Sequence, residues 1–349
     1  MKKDIVTIII FSLAAYPVVV MAAHYSQSYA IFQSRGVSLP PPRHLNIDER
    51  FLATPDGQRL YAWWLQTGAA KKTVLYFQAN GTNISQKIFR LETFKEMGVN
   101  ALMIDYRGYG KSTGRIRREQ HIYTDGQTAW NYLVDEKRID PKDIIVWGRS
   151  LGGAVAAEIA RGKKIAALVL ESTFVSLDTV ARRQYWFLPT TRLLKFHFEN
   201  GRKLKQVRSP VVIIHSMEDD YVTFNQAREL YEAAPEPRYL IETTGSHIDS
   251  FDRRQAFFGS SVNRSGDRQQ VLSRVMKSIG LDTATDNRHY QTGGAAGRRL
   301  SPVKGRCRQH PEKGVQASGT GRKICGPVPL HRKRSHENSR HGIWRPVHS

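Results

Sequence analysis

"VWGRSLGGAVAA", Val146–Ala157, closes an apolar run on Gly148-Arg149-Ser150-Leu151-Gly152-Gly153 and then reopens as an alanine-rich segment. Glycine costs backbone entropy, so glycines set around one serine imply a backbone path that side chains would obstruct. A strand "DIIVWG", a tight turn at Ser150 and a helical "AVAAEIA" match the Gly-x-Ser-x-Gly nucleophile elbow, whose strained turn lifts the hydroxyl clear of the chain. The start of the helix then points at that hydroxyl and favours negative charge developing beside it. Gly-x-Ser-x-Gly recurs by chance, and its placement between strand and helix is what gives it weight.

The surroundings repeat the same alternation. "LYAWWLQ", "TVLYFQ", "NALMIDY", "IIVWG", "AALVLE", "PVVIIH" and "RYLIE" read as strands, most of them too continuously apolar for a sheet with one wet face. Between them Ile84, Ile88, Leu91 and Phe94 recur at helix spacing and stop at Gly98. Ile122, Trp130, Leu133 and Val134 suggest a second helix, and a third follows Thr223, which has capping-box spacing to Gln226. A final helix is expected at Gln270–Ile279. Strand and helix in alternation predict an α/β fold, a mostly parallel central sheet with helices on both faces.

Serine is a poor nucleophile until a base takes its proton and an acid orients that base. Both partners are expected at the ends of later strands, in the order serine, acid, histidine. "PVVIIH" runs into "SMEDDYV", which offers Glu218, Asp219 and Asp220, and "RYLIETT" runs into "GSHIDSF", which offers His247. Of the histidines before residue 283 only His215 and His247 follow a predicted strand, and His215 precedes the acids.

From Asn46 to Leu281 the chain resembles an α/β-hydrolase, in the branch of membrane-anchored serine hydrolases that lack a large lid domain. "DYRGYGKSTG" (Asp105–Gly114), "GRSLGGAVA" and "GSHID" carry the resemblance. It implies Ser150 as nucleophile, His247 as base and, by the family's His-x-x-x-Asp turn counted from His215, Asp219 as the acid. It also implies an oxyanion hole made by the main-chain N–H groups of Leu151 and Asn80. Here the chain departs from the family, which begins this loop His-Gly-Asn where Gln78-Ala79-Asn80 stands. Ala79 places a Cβ where backbone freedom is usual. The resemblance needs no metal and no organic cofactor.

The N-terminus adds a location. Lys2 and Lys3 precede "IVTIIIFSLAAYPVVVMAA", Ile5–Ala23, which as a helix would measure roughly 28 Å, near the thickness of a bilayer core. It reads as an uncleaved, single-pass membrane anchor (residues 1–24) with the N-terminus cytoplasmic and the catalytic domain on the periplasmic or exoplasmic side. The competing reading is a cleaved signal peptide with Ala22 and Ala23 near the cut, which would leave a secreted protein. The proline-rich "VSLPPPRHL" falls in a linker over residues 25–45. The hydrolase domain is expected over 46–282, with a short cap insert at 172–209 holding "YWFLPTTRLLKFHF" and eight Lys/Arg against Asp178 and Glu199. That insert reads either as a greasy, basic rim for acyl chains or as short helices whose aromatics pack on the sheet.

Charge concentrates at the far end. From residue 283 onward fourteen Lys/Arg stand against three Asp/Glu, half of the formal net charge of +22. This tail lacks apolar periodicity and reads as disordered. Both cysteines, Cys307 and Cys325, lie in it, so neither a disulfide nor a cysteine nucleophile belongs to the main domain. With His310 and His331 they fit no regular zinc spacing.

The expected activity is cleavage of an acyl ester or thioester, small or lipidic, through an acyl-serine. The alternatives are a weak or inactive hydrolase-fold protein that binds through its basic surface, and a peptidase of the same fold. An intact Ser150, Asp219 and His247 counts against the first. No nucleic-acid motif accompanies the charge.

Overall fold

Apolar runs with no polar face to spare become the middle of a sheet. The computed structural model describes residues 2–34, 36–68, 70–247 and 265–281. Its strands are β1 (Ile47–Ala53), β2 (Arg59–Leu65), β3 (Thr73–Phe77), β4 (Asn100–Ile104), β5 (Ile144–Arg149), β6 (Ala167–Glu171), β7 (Val211–Ser216) and β8 (Arg238–Thr243). Among the described residues they form one eight-stranded sheet in the order β1-β2-β4-β3-β5-β6-β7-β8. β2 pairs antiparallel with both β1 and β4, and every other neighbouring pair is parallel. All residues of β3, β5, β6 and β7 are buried, as their continuous apolarity requires.

The seven predicted strands are all present. β1 was not anticipated, because its centre is Asp48-Glu49-Arg50 and only Leu52 is buried. Its register along β2, from Ile47 opposite Leu65 to Ala53 opposite Arg59, makes it an edge strand held by its neighbour rather than by an apolar face of its own.

Helices cover both faces. They are α1 (Lys2–Ile31), α2 (Ile88–Glu96), α3 (Glu119–Asn131), α4 (Leu151–Ala160), α5 (Leu177–Gln184), α6 (Thr190–Leu193), α7 (Asn200–Leu204), α8 (Phe224–Ala233) and α9 (Ser265–Ser278). Alternate residues of each central strand feed opposite cores. Leu75, Phe77, Val146, Leu168 and Leu170 pack with Ile122 of α3 and Val155 of α4. Val74, Tyr76, Ile145, Trp147 and Val169 pack with Leu91 and Phe94 of α2 and Val275 of α9.

Thr223 does cap α8, but its side chain makes no capping bond, and the expected box with Gln226 does not form. Gln226 turns away and accepts the N–H of Val175 at 3.2 Å, tying α8 to the segment after β6. The reciprocal box sits instead at Asn83 and Gln86, ahead of α2.

The cap insert divides its aromatics. Phe196 and Phe198 are fully buried, stacked at 6.1 Å, and Phe196 meets Phe32 edge-on at 4.8 Å. Tyr185, Trp186 and Phe187 stand exposed. The buried pair packs as the second reading expects, and the exposed three lie at the surface.

The N-terminal helix corrects the membrane anchor and the single-pass topology inferred from it. Among the described residues no helix is long and apolar enough to cross a membrane. α1 continues past the apolar run to Ile31, and its polar residues there bond to the cap insert. The amide of Gln27 donates to the carbonyl of Leu193 at 2.7 Å and accepts the N–H of Lys195 at 2.8 Å. Nδ1 of His24 lies 2.9 Å from the same carbonyl. The hydroxyl of Tyr16 donates to the carbonyl of Phe187 at 3.2 Å. Partners such as these replace water for polar groups that hydrocarbon could not satisfy.

The chain divides into two units, Met1–Asn287 and Arg288–Ser349. The basic tail expected from residue 283, with Cys307 and Cys325, lies outside the described residues.

Candidate active site

The elbow forms where β5 passes into α4. Ser150 has φ +50° and ψ −116°, a left-handed conformation that a non-glycine residue adopts only when its surroundings enforce it. Those surroundings are main chain. A Cβ on Gly148 would come within 2.2 Å of the carbonyl oxygen of Gly152, and one on Gly152 within 2.0 Å of that of Phe77. The glycines are thus required by contact between strand, turn and helix. The turn is bonded at both sides: Ser150 N–H donates to the carbonyl of Glu171 at 2.9 Å. Its own carbonyl accepts from Gly153 N–H at 2.9 Å and from Oγ1 of Thr173 at 2.7 Å.

The acids after β7 have three different surroundings. Asp219 is buried, its Oδ1 accepting the N–H groups of Tyr221 at 3.0 Å and Val222 at 2.8 Å. Its Oδ2 lies 2.7 Å from Nδ1 of His247 and 3.4 Å from Nε2 of His215, which is itself 2.8 Å from the carbonyl of Val222. Burial pushes the Asp219 carboxyl up, but hydrogen bonds from His215, His247 and the Val222 N–H outweigh it and hold the group well below the usual carboxylate range. Glu218 is exposed and accepts the N–H of Gly245 at 2.8 Å, bracing the loop that carries the histidine. Asp220 is exposed.

His247 follows β8 and brings the pieces together. Its Nε2 lies 3.1 Å from Oγ of Ser150. An ionised Asp219 only accepts, which assigns the imidazole proton to Nδ1 and leaves Nε2 free to take the serine proton. Tyr221 covers the ring with centroids 5.1 Å apart, and Nη2 of Arg149 donates to the His247 carbonyl at 3.0 Å. Ser150, Asp219 and His247 thus form one hydrogen-bonded line. Such a line can pass a proton from a hydroxyl to an imidazole and stabilise the imidazolium that results.

Leu151 opens α4, so its N–H belongs to the first turn, whose donors have no intrahelical acceptor. The side chain of Asn80 is occupied elsewhere: Tyr109 Oη donates to its Oδ1 at 2.5 Å, and its amide donates to the carbonyl of Ile31. Ala79 has no positive φ, so its Cβ sits on an ordinary backbone conformation.

Gln78 is fully buried and donates to Asp105 Oδ1 at 3.0 Å, beside the N–H of Ile84 at 2.8 Å. Burial raises Asp105 to about 6, against the hydrogen bonds from Ile84 and Gln78. A cleft of about 660 Å³ reaches Glu158 and Arg161, at the opposite end of α4 from Ser150, and does not include the serine.

The sequence reading does not single out Arg149, Glu171 or Tyr221, and it uses His215 only to count to Asp219. Glu171 carries the one visible signal, a charge ending an otherwise apolar strand.

Fold and site define a class. Residues 85–248 match the model of the prolyl oligopeptidase family of peptidases. An uncharacterized protein from Mycobacterium tuberculosis is 35% identical over 199 residues, 56% of this chain and 70% of the relative. The α/β-hydrolase domain-containing protein WAV2 of Arabidopsis thaliana is 30% identical over 234 residues, 60% of this chain and 76% of the relative. Among solved structures, the Pyrococcus furiosus esterase Pf2001 superposes with a TM-score of 0.58 at 22% identity, covering 72% of this chain and 97% of that one. The Thermogutta terrifontis esterase Est2, solved with butyrate bound, gives 0.53 at 18% identity, covering 70% and 98%. The chain belongs to the α/β-hydrolase superfamily of serine hydrolases and is an enzyme of that fold.

Proposed function

We propose that this hydrolase cleaves small acyl esters or thioesters through an acyl-serine intermediate. The observation that carries the reading is the line Ser150 Oγ–His247–Asp219, at 3.1 and 2.7 Å. Ser150 Oγ attacks the acyl carbonyl as its proton passes to Nε2 of His247. Asp219, ionised and fixed by two main-chain N–H groups, stabilises the imidazolium. The main-chain N–H groups of Leu151 and Asn80 receive the oxyanion. His247 then protonates the leaving alkoxide or thiolate, and water, activated by the same imidazole, releases the acid.

The match to the prolyl oligopeptidase family favours a second reading, peptidase activity through the same acyl-serine. Esterases among the structural neighbours support the first, with butyrate in one of them as an example of a small acyl group. One experiment separates them: purified protein is labelled with a fluorophosphonate beside Ser150→Ala, then assayed on p-nitrophenyl butyrate and on a peptidyl p-nitroanilide. Labelling confined to wild type, with turnover of the ester alone, is expected. Normal ester turnover by Ser150→Ala would end the acyl-serine reading.

A further inference from the structure

Two loops that must meet for this chemistry, the elbow and the histidine loop, share one buried residue. Glu171 ends β6, and its main-chain carbonyl accepts the N–H of Ser150 at 2.9 Å. Its carboxylate is fully buried, with Oε1 accepting from Nη2 of Arg90 at 2.8 Å and Oε2 from the indole N–H of Trp147 at 2.9 Å. Nε of Arg149 lies 3.2 Å from Oε1, close enough for an ion pair though not aligned as a hydrogen bond. Nη2 of the same guanidinium donates to the carbonyl of His247 at 3.0 Å.

We propose that Arg149 and Glu171 are positioning residues: Glu171 fixes the guanidinium of Arg149, and Arg149 holds the His247 main chain so that the imidazole stands against Ser150. The proposal rests on the reading of His247 as the base. Burying charges is unfavourable unless they are paired, and the Glu171 carboxylate lies against the guanidiniums of both Arg90 and Arg149 while its main chain bonds the elbow. A guanidinium suits the task because its rigid fork can face a carboxylate and a carbonyl together, which a single ammonium does less well. Gly245 of the same loop is held as well: Ser216 Oγ donates to its carbonyl and Glu218 takes its N–H. Arg149 acts on His247 itself.

Among the described residues, the groups facing the imidazole are Asp219, with His215 behind it, Tyr221 on the ring and Ser150. None of them changes in Arg149→Met or Arg149→Lys, and Glu171 keeps Arg90 and Trp147 as partners in both. The test measures kcat and KM on p-nitrophenyl butyrate for wild type, both variants and Ser150→Ala. Competent sites are counted by exhaustive fluorophosphonate labelling, so misfolded protein drops out. In Arg149→Met, kcat per labelled site should fall about 10- to 100-fold, as displacements near 1 Å do, with KM within about twofold. Arg149→Lys should recover little. An unchanged kcat per site, or a loss carried by KM rather than kcat, overturns the proposal. Normal wild-type labelling beside an unchanged variant overturns it alone, whereas a wild type that neither labels nor turns over overturns the acyl-serine reading with it.

Discussion

The carboxylate of Asp219 meets the imidazole of His247 at 2.7 Å through Oδ2, while its Oδ1 takes the N–H groups of Tyr221 and Val222. The acid is fixed on both oxygens, and its neighbours in sequence are not. Asp219→Asn should therefore lower kcat by about 10⁴-fold, since an amide can hold the wrong imidazole tautomer. Asp220→Asn should stay near wild type. Glu218→Gln, which keeps an acceptor for Gly245, should lose only a few-fold. Steady-state rates on p-nitrophenyl butyrate decide, and equal losses at Asp219 and Asp220 would contradict the assignment.

Ser150→Ala and His247→Ala should each remove about a thousandfold or more of that activity, and the double variant little beyond either, because nucleophile and base act as a unit. Losses that multiply in the double variant would argue for separate roles.

Tyr221 lies against the His247 ring at 5.1 Å, with the planes tilted by 42°. An aromatic face stabilises the imidazolium more than the neutral ring, by about 0.5–1 kcal/mol at a partly exposed site. Tyr221→Ala should cost roughly two- to fivefold in kcat, and Tyr221→Phe, which keeps the ring, almost nothing. If Phe loses as much as Ala, the hydroxyl rather than the ring is responsible.

Gly152→Ala sets a Cβ 2.0 Å from the carbonyl oxygen of Phe77, a main-chain atom that cannot swing aside. Overpacking of this kind costs about 1–3 kcal/mol or more. Thermal unfolding should show a clear drop in Tm together with loss of fluorophosphonate labelling. An unchanged Tm would mean that β3 and the elbow are farther apart than described.

Lys203, in α7, is buried beside Tyr123, whose hydroxyl lies 2.5 Å from Nζ, and Glu158, 3.6 Å away. Burial lowers its ammonium from 10.5 to about 8, against the pull of Glu158 and Glu119. Between those values the unfolded chain binds the proton and the folded chain does not, so stability rises with pH through this window. The full difference is on the order of 3 kcal/mol. Buried tyrosines such as Tyr109, pushed up by burial, work in the opposite direction as pH passes the ordinary tyrosine value near 10. Urea unfolding from pH 7.5 to 9.5 should therefore show wild type gaining stability relative to Lys203→Met as pH rises. Parallel curves would place the ammonium in water.

The central strands and the elbow were legible because their information is local. A run such as "IIVWG" has no polar face to expose, and the glycines at 148 and 152 record a main-chain contact that admits no Cβ. β1 was illegible for the converse reason: its residues are charged, and only pairing along β2 makes them a strand. The strand end by itself narrowed the acid to Glu218, Asp219 or Asp220, and the resemblance, counted from His215, chose Asp219 without showing how it is aimed. Successive residues of one turn face different ways, and only the fold puts Asp219 against an imidazole that lies 28 positions further on.

The cluster around Glu171 and the seating of α1 lie wholly on the tertiary side. Arg149 reaches His247 across 98 positions, and Gln27 finds its carbonyl at Leu193 across 166. Composition determined that residues 5–23 form an apolar helix, a property of each residue and its near neighbours. What that helix rests against depends on groups distant in the chain. His24 and Gln27 need hydrogen-bond partners once they leave water, and only the folded cap insert supplies them.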